Sequence, residues 1–522
     1  MEESKTPVST GPVENKPFQL NVKRTMWIAV AFFGILLVWG IYNSYCANFL
    51  TFLFAEQMFG LDSAALSEVA NADKYLQVQW IVGIIMALDN VAALFLMPIF
   101  GRLSDKTHTK LGKRMPYILV GTVITAIALP FIPLFFDLAS NDHISMIGGI
   151  IGLIATMLIV LCVMMMYRSP AVALMPDLTP KPLRSKANGI INIVGYVGGA
   201  LAVVFGMFMP FSSYVSRENT TTYHNFWYIE IPFIVASVIL LVSMLLLLWK
   251  VHENEIAAEM KDEMARGDAM GETVDKVDED APMSKANKRN LILILVAEFL
   301  WFMSFNAIET FASQYTMFYL DFSTSFKSTL DLISGVCSAI MFVIGGFIAD
   351  KIGRKHTIQI GLAIVAVAYI GFACIPTPID SVDYTYSWSS TFFSAPVAYT
   401  VGFGLIFMAV GAGSAMIHIC SYPLVVDFCN SKHIGKFTSY YYAASMGAQS
   451  ITPIVIGAIM STSAQALYAQ GNTQGMVALW RALPIYSAVL MCAAFIVFAF
   501  VKAPHTQKGS NAKGLEALGA DD

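Results

Sequence analysis

Four ionisable side chains stand where the surrounding sequence is almost wholly apolar: Asp89, Arg168, Glu309 and His418. A charge near the middle of a bilayer costs about 2.5 to 3.5 kcal/mol on insertion scales, so each needs a partner or a water-filled cavity. Asp89 is the most isolated, with about a dozen uncharged residues on either side. Such a carboxylate can bind and release a proton; the plainer alternative is a helix contact through Asn90 or a nearby serine. Arg168 precedes Asp177 by nine residues, and His418 precedes Asp427 by the same interval. Their matched places predict two groups facing one another across a central cavity, and histidine titrates near neutrality. Glu309 shares a helical face with Asn306. Glu298 reads as a helix contact, while Glu230 and Asp331 read as solvated residues near span ends. This is chemistry of binding and of proton movement. No nucleophile with its base, no cofactor fingerprint and no His/Cys metal spacing accompanies it, so neither an enzyme nor a metal site is expected.

The elements that must hold these groups follow from composition. Of 522 residues 56% are hydrophobic and 13% charged, and the mean hydropathy is +0.63; these values exclude an ordinary soluble globular chain. The apolar stretches suit α-helices, which need about 20 residues to cross a bilayer of about 30 Å. Helices rather than barrel strands are therefore the spanning elements. Six stretches fall within 26–250 and six within 291–502. The expected fold is an all-α membrane protein of twelve transmembrane helices in two six-helix bundles. Placing both termini in the cytoplasm puts 27 of the 32 Lys and Arg on that side, as the positive-inside rule requires. Residues 1–25, polar and carrying Pro7, Pro12 and Pro17, read as a retained, disordered N-terminus without a cleavable signal. Residues 251–290, with 11 Asp/Glu against 6 Lys/Arg, read as a cytoplasmic linker. Ile256, Met260 and Met264 recur at helical spacing there and predict a short amphipathic helix. Residues 503–522 read as a cytoplasmic tail. Nothing in the charge distribution suggests nucleic acid, and the seven cysteines read as small buried residues.

One loop sequence is written twice, 245 residues apart: Gly101-Arg-Leu-Ser-Asp105-Lys106 continuing to Gly112-Lys113-Arg114, and Gly346-Phe-Ile-Ala-Asp350-Lys351 continuing to Gly353-Arg354-Lys355. Glycine permits close approach of helix ends, the aspartate can accept from a neighbouring helix N-terminus, and the cations can reach carboxylates across the interface between halves. Contacts of that kind suit a conformational gate. The duplication resembles the major facilitator superfamily over nearly the whole chain. The first copy carries four extra residues before its glycine and runs on to Pro116. That longer form resembles the sucrose/proton carriers and the glycoside-pentoside-hexuronide symporters, as does Pro170-Ala-Val-Ala-Leu-Met-Pro176-Asp177-Leu. Val172 stands where the sucrose carriers have an arginine, and Arg168 lies one turn earlier. The paired second-helix carboxylates of the melibiose-type symporters are reduced here to Asp89.

What the resemblance implies is a carrier that imports a sugar by alternating access, with no cofactor. A sugar site needs amide and carboxyl groups for hydroxyls and aromatic faces for the ring. The candidates are Tyr42 and Asn43, Asn188 and Asn192, Asn306 and Glu309, His418, and Tyr441 with Gln449. Asp89 and Arg168 form the expected proton-coupling pair. The leading expectation is a monomeric proton-coupled importer of an α-glucoside-type di- or oligosaccharide, such as sucrose or maltose, in a bacterial cytoplasmic membrane. A sodium-coupled glycoside symporter is the alternative. A proton/drug antiporter is disfavoured, because Gly195-Tyr-Val-Gly198-Gly199 lacks the proline of the antiporter signature.

Overall fold

A computed structural model describes residues 18–61, 65–180, 183–215, 226–266, 285–381, 383–427 and 434–502. The 1–25 tail before Phe18 and the 503–522 tail lie outside the described residues, and so do the side chains of Asp350 and Asp427. Among the described residues, twelve helices are long and apolar enough to cross a membrane. They are α1 (Val22–Phe59), α2 (Gln79–Asp105), α3 (Met115–Ser140), α4 (Met146–Asp177), α5 (Lys186–Val215) and α6 (Phe226–Lys250) in the first half. The second half holds α7 (Lys285–Phe318), α8 (Thr324–Ala349), α9 (Arg354–Ala373), α10 (Val397–Val425), α11 (Ser439–Ala469) and α12 (Gly475–Ala499). Most spans are apolar around their whole circumference, because one side meets lipid and the other meets protein.

The halves join along two seams, α2 on α11 and α5 on α8. Both seams are tightest at the end away from the duplicated loops, called here the far end; the opposite end is the motif end. Gly83 lies so near α11 that a β-carbon there would sit 2.1 Å from the Pro453 carbonyl oxygen. Only a residue without a side chain fits at that crossing. Ser212 on α5 bonds to Ser323 and to the Thr324 N–H at the head of α8, at 2.8 and 3.1 Å. Aromatic rings seal the same end, with Tyr75 stacked on Phe318 at 4.1 Å and Phe52 edge-on to Trp388 at 5.9 Å.

At the motif end, part of the linker is a short helix, Glu253–Glu259, with Ile256 buried beneath it. It lies against the first half: Asn254 donates to the Thr109 and Lys110 carbonyls at 3.0 Å each. Arg24 pairs with Glu259 at 2.9 Å.

Candidate functional site

Between the halves lies a cavity of about 300 Å³. The first half lines it with Asn43 from α1, Asp89 and Asn90 from α2, and Arg168 from α4. The second half answers with Asn306 and Glu309 from α7 and with Tyr441 and Gln449 from α11. Helical periodicity explains the grouping: Asn306 and Glu309 are three residues apart, and Tyr441 and Gln449 are two turns apart, so each pair shares a face. Pro453 adds a polar group of a second kind. It cannot donate to the carbonyl of Gln449, which leaves that oxygen without its intrahelical partner where both residues line the cavity.

Asn43 and Glu309 meet across the cavity, the amide donating to the carboxylate at 3.1 Å. Asn48, farther along α1, donates to Ser313 at 2.9 Å. The Asp89 carboxylate accepts from both the backbone and the side chain of Asn90, at 2.5 and 2.8 Å. It lies within Coulombic range of Arg168 and Glu309. Arg168 makes no ion pair among the described residues. A carboxylate so placed is held by local hydrogen bonds rather than locked to a cation.

Several expected residues lie elsewhere. His418 does not line the cavity with Arg168; its ring packs against Phe302 and Phe305, each at 5.7 Å. Phe302 is the lining residue at that place, so an aromatic on α7 covers the position that repeat symmetry assigned to histidine. Tyr42 is buried in the first half, edge-on to Trp39 at 5.7 Å, and Asn188 and Asn192 on α5 are also outside the lining. Glu230 is buried rather than solvated, at 5% exposure. Asp331 keeps the expected contact with solvent, at 37% side-chain exposure, and pairs with Lys327 one turn away at 2.5 Å. Sequence reasoning missed Trp39, Phe302 and Thr310, which line the cavity, and took Asn90 only as a contact for Asp89. Stepping three or four residues along each helix from Asn43, Asn306 and Gln449 finds most of them.

The two loop motifs differ in detail. In the first, Arg114 is 4% exposed and bridges α2 and α4. It pairs with Asp105, donates to Ser104 and meets Asp177 at 2.8 Å. Lys113 joins Asp177 at 3.0 Å. Burial alone would lower the Arg114 guanidinium, but Asp177 and Asp105 outweigh it and hold the group above its ordinary range. The expectation that Asp105 caps a helix and that the cations reach across the interface is not met among the described residues. The cap at the start of α3 comes instead from the linker. Glu253, 3% exposed, accepts from the backbone N–H groups of Lys113, Arg114 and Met115 at 3.0 to 3.1 Å. A carboxylate at a helix N-terminus satisfies its open donors and complements its dipole. Gly112, at φ +116°, makes room, since a β-carbon there would lie 2.1 Å from the Glu253 carboxylate. Gly101 passes Ser169 on α4 closely, and Lys106 is exposed. In the second motif Gly346 lies within α8 and Gly353 turns the chain at φ +87°. Arg354 donates to the Pro423 carbonyl on α10 at 3.2 Å, Lys351 is exposed and Lys355 half-buried.

Twelve spans in two repeats around one polar cavity define the architecture of a membrane transporter. The sequence model of the Major Facilitator Superfamily matches residues 2–203 and, in a second placement, 75–410, and the chain belongs to that superfamily. Sucrose transport protein SUC4 of Arabidopsis thaliana is 26% identical over 191 residues, which cover 34% of this chain. The chain spans only 36% of that relative's length. Among solved structures, a D-xylose-proton symporter aligns over 92% of this chain and 98% of its own, with a TM-score of 0.59 and 16% identity. The inward-open xylose transporter XylE from E. coli aligns over 95% and 98%, with a TM-score of 0.58 and 16% identity. A bacterial homologue of the human lysosomal transporter Spinster, inward-facing and occupied, gives 0.56 and 13% over 94% and 100%. At these identities the likeness is one of fold.

Proposed function

We propose that this chain imports a sugar together with a proton, by alternating access, across a bacterial cytoplasmic membrane. The motif end faces the cytoplasm in this reading, where the positive-inside rule puts it, and the structure is then the inward-facing state. The observation that carries the reading is the composition of the cavity. Three amides and a carboxylate offer donors and acceptors to several hydroxyls at once, while Trp39, Phe302 and Tyr442 offer apolar faces to a ring, and Tyr441 lines the cavity with its hydroxyl bonded to Ser421. Asn43, Asn306, Glu309, Tyr441 and Gln449 are the proposed sugar ligands. Asp89 carries the proton, and its attraction to Arg168 falls when it is protonated. The relative named a sucrose transport protein and the fold shared with a xylose-proton symporter support both halves of the proposal. The likeness of the first loop to the sucrose carriers supports an α-glucoside-type di- or oligosaccharide such as sucrose or maltose.

The test is uptake by purified protein in liposomes under an imposed inward proton gradient, with a panel of unlabelled sugars as competitors. Accumulation above equilibrium is expected for the native chain. Asp89→Asn should abolish accumulation yet retain sugar exchange. Accumulation that follows a sodium gradient instead, or that survives Asp89→Asn unchanged, overturns the proton assignment.

A further inference from the structure

The connection between α9 and α10 does more than join two helices. Asp321, at the turn between α7 and α8, is 4% exposed and adopts φ +55°. One of its carboxylate oxygens accepts from the N–H groups of Ser387 and Trp388 at 2.8 and 2.9 Å. The other accepts from the hydroxyls of Tyr384 and Ser387 at 2.7 and 3.0 Å. All four bonds reach into one short segment. The Trp388 indole N–H then donates to the Met317 carbonyl at 3.1 Å, and Ser323 N–H donates to the Ser390 carbonyl at 2.9 Å. Residues 384–390 are thus fastened along the second half.

The same segment is also bonded to the first half. Val69 N–H donates to the Tyr384 carbonyl at 3.0 Å, and Tyr386 N–H donates to the Ser67 carbonyl at 2.7 Å. Glu68 and Thr385 face each other as an antiparallel pair between those two bonds. A backbone ladder that crosses the seam cannot slide; it either stays formed or separates. The Trp388 ring adds an edge contact with Phe52 of α1 and a stack with Tyr386 at 5.4 Å.

We propose that residues 384–390 are a strap that latches the far end shut, pinned to the second half by Asp321 and to the first by the ladder with Ser67 and Val69. Opening the cavity at the far end requires the ladder to break while the Asp321 bonds stay intact, so the strap leaves with the second half. The proposal rests on alternating access in this fold and not on the identity of the cargo.

Glu68 and Thr385 form a pair without hydrogen bonds to each other, for which Cα atoms lie about 4.5 Å apart, within the disulfide range of about 4.4 to 6.8 Å. Both side chains are exposed, so Glu68→Cys/Thr385→Cys should cross-link on mild oxidation. The oxidised double variant should lose sugar transport by at least about tenfold and regain it on reduction, as expected when one of two states is removed. The single variants and the native chain under the same oxidant serve as controls. Formation of the disulfide with transport at the reduced protein's rate overturns the latch, and so does failure to cross-link. Hydrogen exchange supplies a readout independent of cargo: Asp321→Asn should accelerate exchange in 384–388 and also in 67–69, which Asp321 does not touch. Exchange that rises in 384–388 alone overturns the latch. If the reduced double variant and the native chain both carry no sugar, the sugar reading fails, and the latch stands or falls on the exchange result.

Discussion

The two ends of the molecule are held by different forces. At the far end the contacts join one half to the other: Gly83 against Pro453, Ser212 against Ser323, and a backbone ladder from Ser67 to Tyr386. At the motif end the strongest described contacts stay within one half, with Arg114 gathering Asp105 and Asp177 while Glu253 of the linker caps α3. Neutral hydrogen bonds are cheap to exchange with solvent, each contributing about 0.5 to 1.5 kcal/mol net. A cluster centred on a buried cation is harder to disassemble, because Arg114 would be left buried without its partly exposed partners Asp105 and Asp177. In the proposed alternating access the far end is therefore the one that separates, while the first-half motif moves as one piece.

The harshest way to break that comparison is Gly83→Val. Overpacking at a closed contact costs about 1 to 3 kcal/mol, and here the neighbour is backbone, which cannot turn aside. Sugar exchange should fall about tenfold or more while helical content by circular dichroism stays native. Exchange at the native rate would mean that α2 and α11 need not meet this closely. Next in size is Glu253→Ala, which leaves three backbone donors uncapped in a buried place and should lower stability by about 1 to 3 kcal/mol. Thermal unfolding in detergent reads it, with Glu253→Gln losing less; an unchanged melting temperature would show that the linker merely rests on the first half.

Smaller changes sharpen the contrast. Asn43→Ala removes the bond that crosses the cavity to Glu309 and should weaken sugar competition by about 0.5 to 1.5 kcal/mol, or two- to tenfold. Unchanged competition would place Asn43 outside the sugar's reach. Ser212→Ala removes the two neutral cross-half bonds of one hydroxyl, to Ser323 and to the Thr324 N–H, and is expected to change transport by less than about tenfold, each bond contributing about 0.5 to 1.5 kcal/mol net. A larger loss would mark α5 and α8 as the dominant seam.

Much of this was legible in the residues. Twelve spans follow from hydropathy because a bilayer forces every backbone group into a helix. Asp89, Arg168 and Glu309 announce themselves because an ionisable group in an apolar run must have a destination, and all three reach the cavity. The misses have a common cause. Repeat symmetry placed His418 opposite Arg168, yet symmetry of backbone does not fix which side chain faces inward, and Phe302 takes that surface. Glu253 was one acid among eleven in a polar linker, and only the fold shows that it is buried beneath a helix end. Asp321 and the 384–390 segment were ordinary loop sequence, because the value of a long-range backbone ladder is invisible to local spacing.

The central claim is that a proton and a sugar cross together with Asp89 as the proton's carrier. It is tested most directly by trapping a pH-sensitive dye inside proteoliposomes and adding sugar outside without any imposed gradient. The native protein should acidify the lumen as sugar enters, and Asp89→Asn should admit sugar with no acidification. Sugar entry by the native protein at constant internal pH, or acidification that persists in Asp89→Asn, would contradict the account.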